Sequence, residues 1–129
     1  MSQDVFILYG SRTPMGALDG CLASKTASQL GSVAISTALK RAKITPDQVD
    51  EVYMGCVLGA GQGQAPARQA ALGAGLSVGT PATTINKMCG SGMQATIMGY
   101  NAIKAESSQI MVCGGMESMT NAPYLLPKV

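Results

Sequence analysis

Between Lys87 and Lys104 the chain carries no charged residue. From Gly90 to about Ala105 this stretch is long enough for roughly four turns of helix. A helix that is neutral over such a length has no solvated face of its own, so it is expected to be buried on most of its surface. The run just before it, Pro81-Ala82-Thr83-Thr84-Ile85-Asn86, is β-branched and reads as a strand. The chain therefore passes from a strand into a buried helix at Asn86-Lys87-Met88-Cys89-Gly90-Ser91-Gly92, and its other elements must form layers around that junction.

Those elements follow a regular order. Val5-Phe6-Ile7-Leu8-Tyr9-Gly10 is a continuous apolar run, the pattern of a strand covered on both faces. Ser11 to Ser24 reads as loop. A helix opens at Thr26, with Gln29 placed to close a capping box. Ala27, Leu30, Gly31, Ala34, Ile35, Ala38, Leu39 and Ala42 fall on one face of it. Thr45-Pro46-Asp47-Gln48 repeats the start signal but leaves room for only a turn. The strand Val49–Leu58 is strongest from Val52, and Cys56 within it reads as core packing. A short helix follows with Pro66 in its first turn and Gly75 just past its end. Ile110-Met111-Val112-Cys113-Gly114-Gly115 is a last strand, followed by loop. Strand–helix alternation of this kind predicts an α/β domain, with layered helices around a mostly parallel sheet. In such sheets, sites gather beyond the carboxyl ends of the strands. Cys89, the Gly59–Gly63 loop and the Gly114–Glu117 loop all lie there. The Gly59–Gly63 loop does not fit a dinucleotide fingerprint, because Gln64 stands where the third glycine is needed.

Composition narrows the function. The net charge is +2 and aromatic residues make up 4%, so neither a basic stripe nor a stacking platform for nucleic acid is present. No run reaches the roughly 18 consecutive apolar residues that a membrane helix needs, and the N-terminus shows no secretory signal. The four cysteines, Cys21, Cys56, Cys89 and Cys113, are widely spaced and the chain has no histidine, which argues against a metal site. The thiols are read as reduced, in a cytoplasmic protein. With hydrophobic residues at 47% and charged residues at 12%, part of the surface is expected to lie against another domain or subunit.

Local physics leaves two readings for Cys89. It can be a structural cysteine at a tight strand–helix turn. It can also be a nucleophile, because free N–H groups and the positive end of a helix dipole favour a thiolate. Gly90 and Gly92 would let a backbone or a substrate approach closely. The strand-end position favours the nucleophile. Without histidine, however, the chain cannot build a Cys-His pair from its own residues.

Four segments resemble the thiolase family, the acetyl-CoA acetyltransferases. They are Arg12-Thr13-Pro14-Met15-Gly16, the segment from Gly61 to Ala71, the Asn86–Gly92 motif, and Gly114-Gly115-Met116-Glu117-Ser118-Met119 with Ala122-Pro123-Tyr124. They occur in order and span nearly the whole chain. The resemblance implies that residues 1–129 form a thiolase N-terminal domain, cut near the start of the family's loop region. It implies that Cys89 takes an acetyl group from acetyl-CoA as a thioester. A second acetyl-CoA, deprotonated at its methyl carbon, then attacks that thioester and leaves as acetoacetyl-CoA; thiolysis is the reverse. CoA thioesters are the substrates and no separate cofactor is implied. Family members assemble as homodimers or homotetramers, with the strand before the nucleophile pairing across the two-fold.

The family's activating histidine, second catalytic cysteine and main CoA-binding loops match no segment here, and no role carries over to Cys21, Cys56 or Cys113. The chain alone is therefore expected to be inactive. Two alternatives stand beside this reading. One is a non-catalytic thiolase-like module. The other is a condensing enzyme of the ketoacyl-synthase type, against which Arg12-Thr13-Pro14 and Gly114–Met119 argue.

Overall fold

The structure, a computed structural model, describes residues 4–128. Its regular elements are helix α1 (Ala27–Ala42), strand β1 (Glu51–Gly55), helix α2 (Pro66–Gly73), strand β2 (Ala82–Ile85), helix α3 (Ser91–Lys104) and strand β3 (Met111–Gly115). Single 3-10 turns lie at Pro46–Gln48 and Met119–Asn121. The helix signals act as local chemistry dictates. The Thr26 side chain accepts from the N–H of Gln29 at 3.2 Å, and the Gln29 side chain accepts from the N–H of Thr26 at 3.0 Å. Lys43 ends α1 in the left-handed conformation. Pro66 opens α2, and Gly75 beyond its end has a φ of 89°.

The sheet has three parallel strands in the order β2-β1-β3. Met54 stands between Thr84 and Gly114, and Gly55 between Ile85 and Gly115. Strand alternation sends Val52 and Met54 to one face and Tyr53 and Gly55 to the other. The first face packs under α2, with α1 lying against α2. This is the apolar core, formed by Ile35, Leu39, Val49, Val52, Met54, Ala67, Ala70 and Leu76 among others. The opposite face carries α3. Glycines bring that helix down onto the strands: Gly92 meets Gly115, Gly99 makes room for the Cys113 thiol, and Gly55 lies under Ser91. The chain thus forms three layers, helices on either side of a parallel sheet.

Three expectations need correction. Val5–Gly10 is not a strand. It runs extended beside the domain, with Phe6, Ile7 and Leu8 exposed. A strand exists only through a pairing partner, and both β2 and β3 leave their outer edges unpaired among the described residues. The segment instead touches α1 through the Tyr9 ring, 5.7 Å from the Arg41 guanidinium.

Strand β1 is shorter than the apolar run suggests and stops at Gly55. Beyond it, the N–H groups of Val57 and Leu58 bond to the Glu117 carboxylate rather than to a strand.

Helix α3 is covered on one side only. Ser91, Ala95 and Gly99 are buried, while Met93, Ile97 and Tyr100 are exposed at helical spacing. The neutrality of the stretch marks an apolar helix, but the described residues cover only one of its faces.

Candidate active site

The site is the turn that joins β2 to α3. Met88, the residue before Cys89, has a φ of 49°. A side chain other than glycine pays on the order of 1 kcal/mol or more for this left-handed conformation, so its surroundings must hold it there. Two side chains do so. The Asn86 side-chain oxygen accepts from the N–H of Met88 at 3.0 Å. The Ser91 hydroxyl accepts from the N–H of Lys87 at 2.9 Å and donates to the Met88 carbonyl. Backbone bonds from Gly90 to the Lys87 carbonyl and from Ser91 to the Met88 carbonyl, both 3.1 Å, close the turn. Ser91 is buried at the first position of α3, and a Cβ added to Gly55 of β1 would strike it. The turn therefore rests on the end of the central strand.

At the tip of this turn Cys89 is exposed. The sequence reading located it correctly, past a strand end and at a helix start. The other thiols differ. Cys56 and Cys113 are withdrawn into the fold; burial pushes the Cys56 thiol up, and burial pushes Cys113 up to about 11 with the Glu51 charge adding to it. Both are held protonated and poorly placed to attack anything. Cys21 is exposed in the loop before α1.

Beside the turn lies a polar cluster of which sequence reasoning saw only the outline. The Glu117 carboxylate, just after β3, accepts from the N–H of Val57 at 2.9 Å and of Leu58 at 3.2 Å. The Cys56 thiol points to the same carboxylate at 3.5 Å. The Gln62 amide donates to the Cys56 sulfur and to the Leu58 carbonyl. Its side-chain oxygen is buried without a partner among the described residues. Asn86 joins the turn to this cluster through a long 3.5 Å bond from its amide to the Val57 carbonyl. The sequence offered one signal for the cluster: Glu117 is the lone acid in the loop after β3.

The remaining candidates are structural. The side chain of Arg12 donates to the carbonyl of its neighbour Thr13 at 3.2 Å. In the glycine-rich loop, Gly61 and Gly63 take φ of 73° and 75°, and the Gln69 amide clamps the carbonyls of Gln62 and Gln64 at 2.7 and 2.8 Å. The Ala67 N–H at the start of α2 is taken by the Thr84 hydroxyl at 3.0 Å. A loop tied down in this way is a structural turn. Arg68 bonds the carbonyls of Val78 and Thr80, at 2.7 and 2.8 Å, and so fixes the approach to β2.

A cleft of about 510 Å³ opens between the Arg12–Leu18 segment, α1 and the Gly115–Thr120 segment, and one of about 140 Å³ lies by Gln62 and Asn121. Cys89 borders neither. Among the described residues no group of three or more His, Cys, Asp or Glu side chains could hold a metal ion, and no helix is long and apolar enough to cross a membrane.

An exposed cysteine stands on a braced strand–helix turn at the carboxyl edge of a parallel sheet, in an α/β domain. The chain belongs to the thiolase family: the family model for the thiolase N-terminal domain matches residues 5–129. It is 53% identical over 125 residues to the mitochondrial acetyl-CoA acetyltransferase B of Xenopus laevis, covering 97% of this chain and 30% of that protein. It is 52% identical over 128 residues to the acetyl-CoA acetyltransferase of Schizosaccharomyces pombe, covering 99% of this chain and 32% of that one. A cytosolic acetyl-CoA acetyltransferase of Gibberella zeae is 54% identical over 97% of the chain and 32% of its own length. Among solved structures, the Acat5 thiolase of Ascaris suum in complex with coenzyme A superposes with a TM-score of 0.96 at 39% identity, over 98% of this chain and 33% of that one. The chain thus spans about 30% of the length of the relatives it matches.

Proposed function

We propose that this chain carries the nucleophile of a thiolase-type acyltransferase, and that Cys89 is that nucleophile. One observation carries the reading: Cys89 is the exposed thiol on a braced turn directly before α3, whereas Cys56 and Cys113 are withdrawn into the fold. Relatives described as acetyl-CoA acetyltransferases support an acetyl group as the cargo.

The step balances without a further reagent. Cys89 gives its proton to solvent, and its sulfur attacks the carbonyl carbon of acetyl-CoA. A new C–S bond forms, the C–S bond to CoA breaks, and the departing CoA thiolate takes up a proton. The Cys89 N–H, just before α3, is suited to be one donor to the oxygen that becomes negative on the way. The acyl-enzyme remains reactive because a thiolate is both a good nucleophile and a good leaving group. A second acetyl-CoA, deprotonated at its methyl carbon, then attacks the acetyl-cysteine. Acetoacetyl-CoA leaves and Cys89 is restored.

Deprotonating the methyl carbon of the second acetyl-CoA needs a base, and this chain contains no histidine to serve as one. CoA thioesters act as substrates, with no separate cofactor. We further propose assembly as a homodimer or homotetramer through the open edge of β2, and a cytoplasmic location. Relatives occur in both cytosolic and mitochondrial forms.

The test is a single-turnover acyl transfer. The protein is incubated with acetyl-CoA at mildly alkaline pH and its cysteine peptides are weighed by mass spectrometry. Acetyl label should collect on Cys89 well ahead of Cys21, the other exposed thiol. Equal labelling of the two, or none on Cys89, overturns the assignment and leaves a non-catalytic thiolase-like module as the better account.

A further inference from the structure

We propose that Asn86 and Glu117 are positioning residues for Cys89, and that they act through the Val57–Leu58 peptide between them. This rests on the nucleophile reading above.

The geometry forms one path. The Glu117 carboxylate fixes the N–H groups of Val57 and Leu58 at 2.9 and 3.2 Å. The carbonyl of the same Val57 accepts from the Asn86 amide at 3.5 Å. The other end of that amide accepts the Met88 N–H at 3.0 Å. Met88 is the left-handed residue at φ 49°, and Cys89 is the next in the chain. Asn86 thus bridges a fixed peptide on one side and a strained turn on the other. Glu117 also follows Met116, whose N–H bonds the Gly55 carbonyl at 2.9 Å, while Gly55 and Gly115 seat Ser91 and Gly92 of α3. The carboxylate therefore ties together both surfaces against which the nucleophile turn is set. A charged acceptor receiving two backbone N–H groups is the strong kind of hydrogen bond, and its reach between two strand ends suits it to this task.

Acyl transfer demands a sulfur held at a set distance and angle from the thioester and from the N–H donors, and it is sensitive to small displacements. Alkylation by a small reagent demands only an exposed thiol. A positioning role predicts that the two reactions separate.

The experiment uses the intact protein, with Cys21 as internal reference. Asn86→Ala should lower the Cys89-to-Cys21 ratio of acetylation by acetyl-CoA about tenfold, given the steep dependence of such reactions on alignment. The same ratio for iodoacetamide should stay within about twofold, since that reagent asks only for access. Glu117→Ala should act in the same direction, and Glu117→Gln, which keeps one acceptor oxygen, should fall between it and the parent. Labelling of Cys56 and Cys113 reports folding; if an alanine variant exposes them, Glu117→Gln carries the test. An acetylation ratio unchanged in Asn86→Ala and Glu117→Gln overturns the proposal, as does a fall in alkylation matching that in acetylation. Failure of the parent protein to acetylate Cys89 overturns the nucleophile reading itself, and the positioning role with it.

Discussion

Gly55 and Ser91 touch so closely that a Cβ on Gly55 would lie 2.6 Å from both the carbonyl carbon and the Cβ of Ser91. This contact joins the end of the central strand to the first residue of α3. It fixes the height at which the helix, and the cysteine before it, stand above the sheet. Gly55→Ala must displace backbone, which a close-packed interior resists. It should cost about 2–3 kcal/mol in urea denaturation. Gly59→Ala, where an added Cβ meets nothing within 4 Å, should change stability little. Equal effects of the two substitutions would show that the contact carries no strain.

The capping box of α1 offers a cleaner number. Thr26→Ala removes the acceptor of the Gln29 N–H and should cost about 1 kcal/mol, read as a shift in denaturation midpoint at constant slope. In the core, Val52→Ala, at a fully buried side chain, should cost about 2 kcal/mol or more because nothing can collapse into the space.

At high pH the chain should lose stability through Cys113. Burial holds this thiol protonated in the fold up to about 11, against an ordinary 9.0. As pH rises the unfolded state ionises first, so the stabilisation is whole below about pH 9 and is lost progressively as pH climbs to about 11. Cys113→Ala should flatten that decline in a series of denaturation curves. A parent profile that stays level or rises across the window would contradict the burial.

At low pH the sign reverses at Asp50. The N–H groups of Ile110 and then Gln109, bonded at 2.9 and 2.7 Å, hold its carboxyl below the ordinary 3.8. Its contribution is present above about pH 4 and is lost as pH falls through the lowered value. The side chain is exposed, so Asp50→Ala should cost only about 1 kcal/mol at neutral pH. Its effect should vanish in strong acid.

Acetoacetyl-CoA offered to this chain with free CoA should not be cleaved at enzymatic rates. The chain has no histidine, and the general base on which such turnover depends is commonly worth about two to four orders of magnitude. Steady loss of acetoacetyl-CoA at the rate of an ordinary enzyme would require another base among these residues.

Much of the fold around the turn was readable residue by residue. Thr26 and Gln29, Pro66 and Gly75, and the run from Ile85 into Gly92 all speak through bonds made within a few positions, and each stands where its pattern places it. The parallel sheet followed from the order of elements, since strands that alternate with helices return to the same edge. The bracing of Met88 was not readable, although Asn86 and Ser91 lie close by. Asx and hydroxyl bonds of this kind are options among several for those side chains, and packing against Gly55 selects one.

The amino-acid sequence by itself determined where helices begin, where the strands of the sheet lie and which cysteine stands between a strand and a helix. These are short-range matters of capping, periodicity and turn chemistry. Only the tertiary structure decided that β1 ends at Gly55, that Val5–Gly10 stays unpaired, that one face of α3 is covered and the other open, and that Glu117 holds Val57 across 60 residues of chain. Each depends on which distant groups arrive to satisfy a backbone N–H or an apolar face, and a local pattern cannot name a partner that folding has yet to bring near.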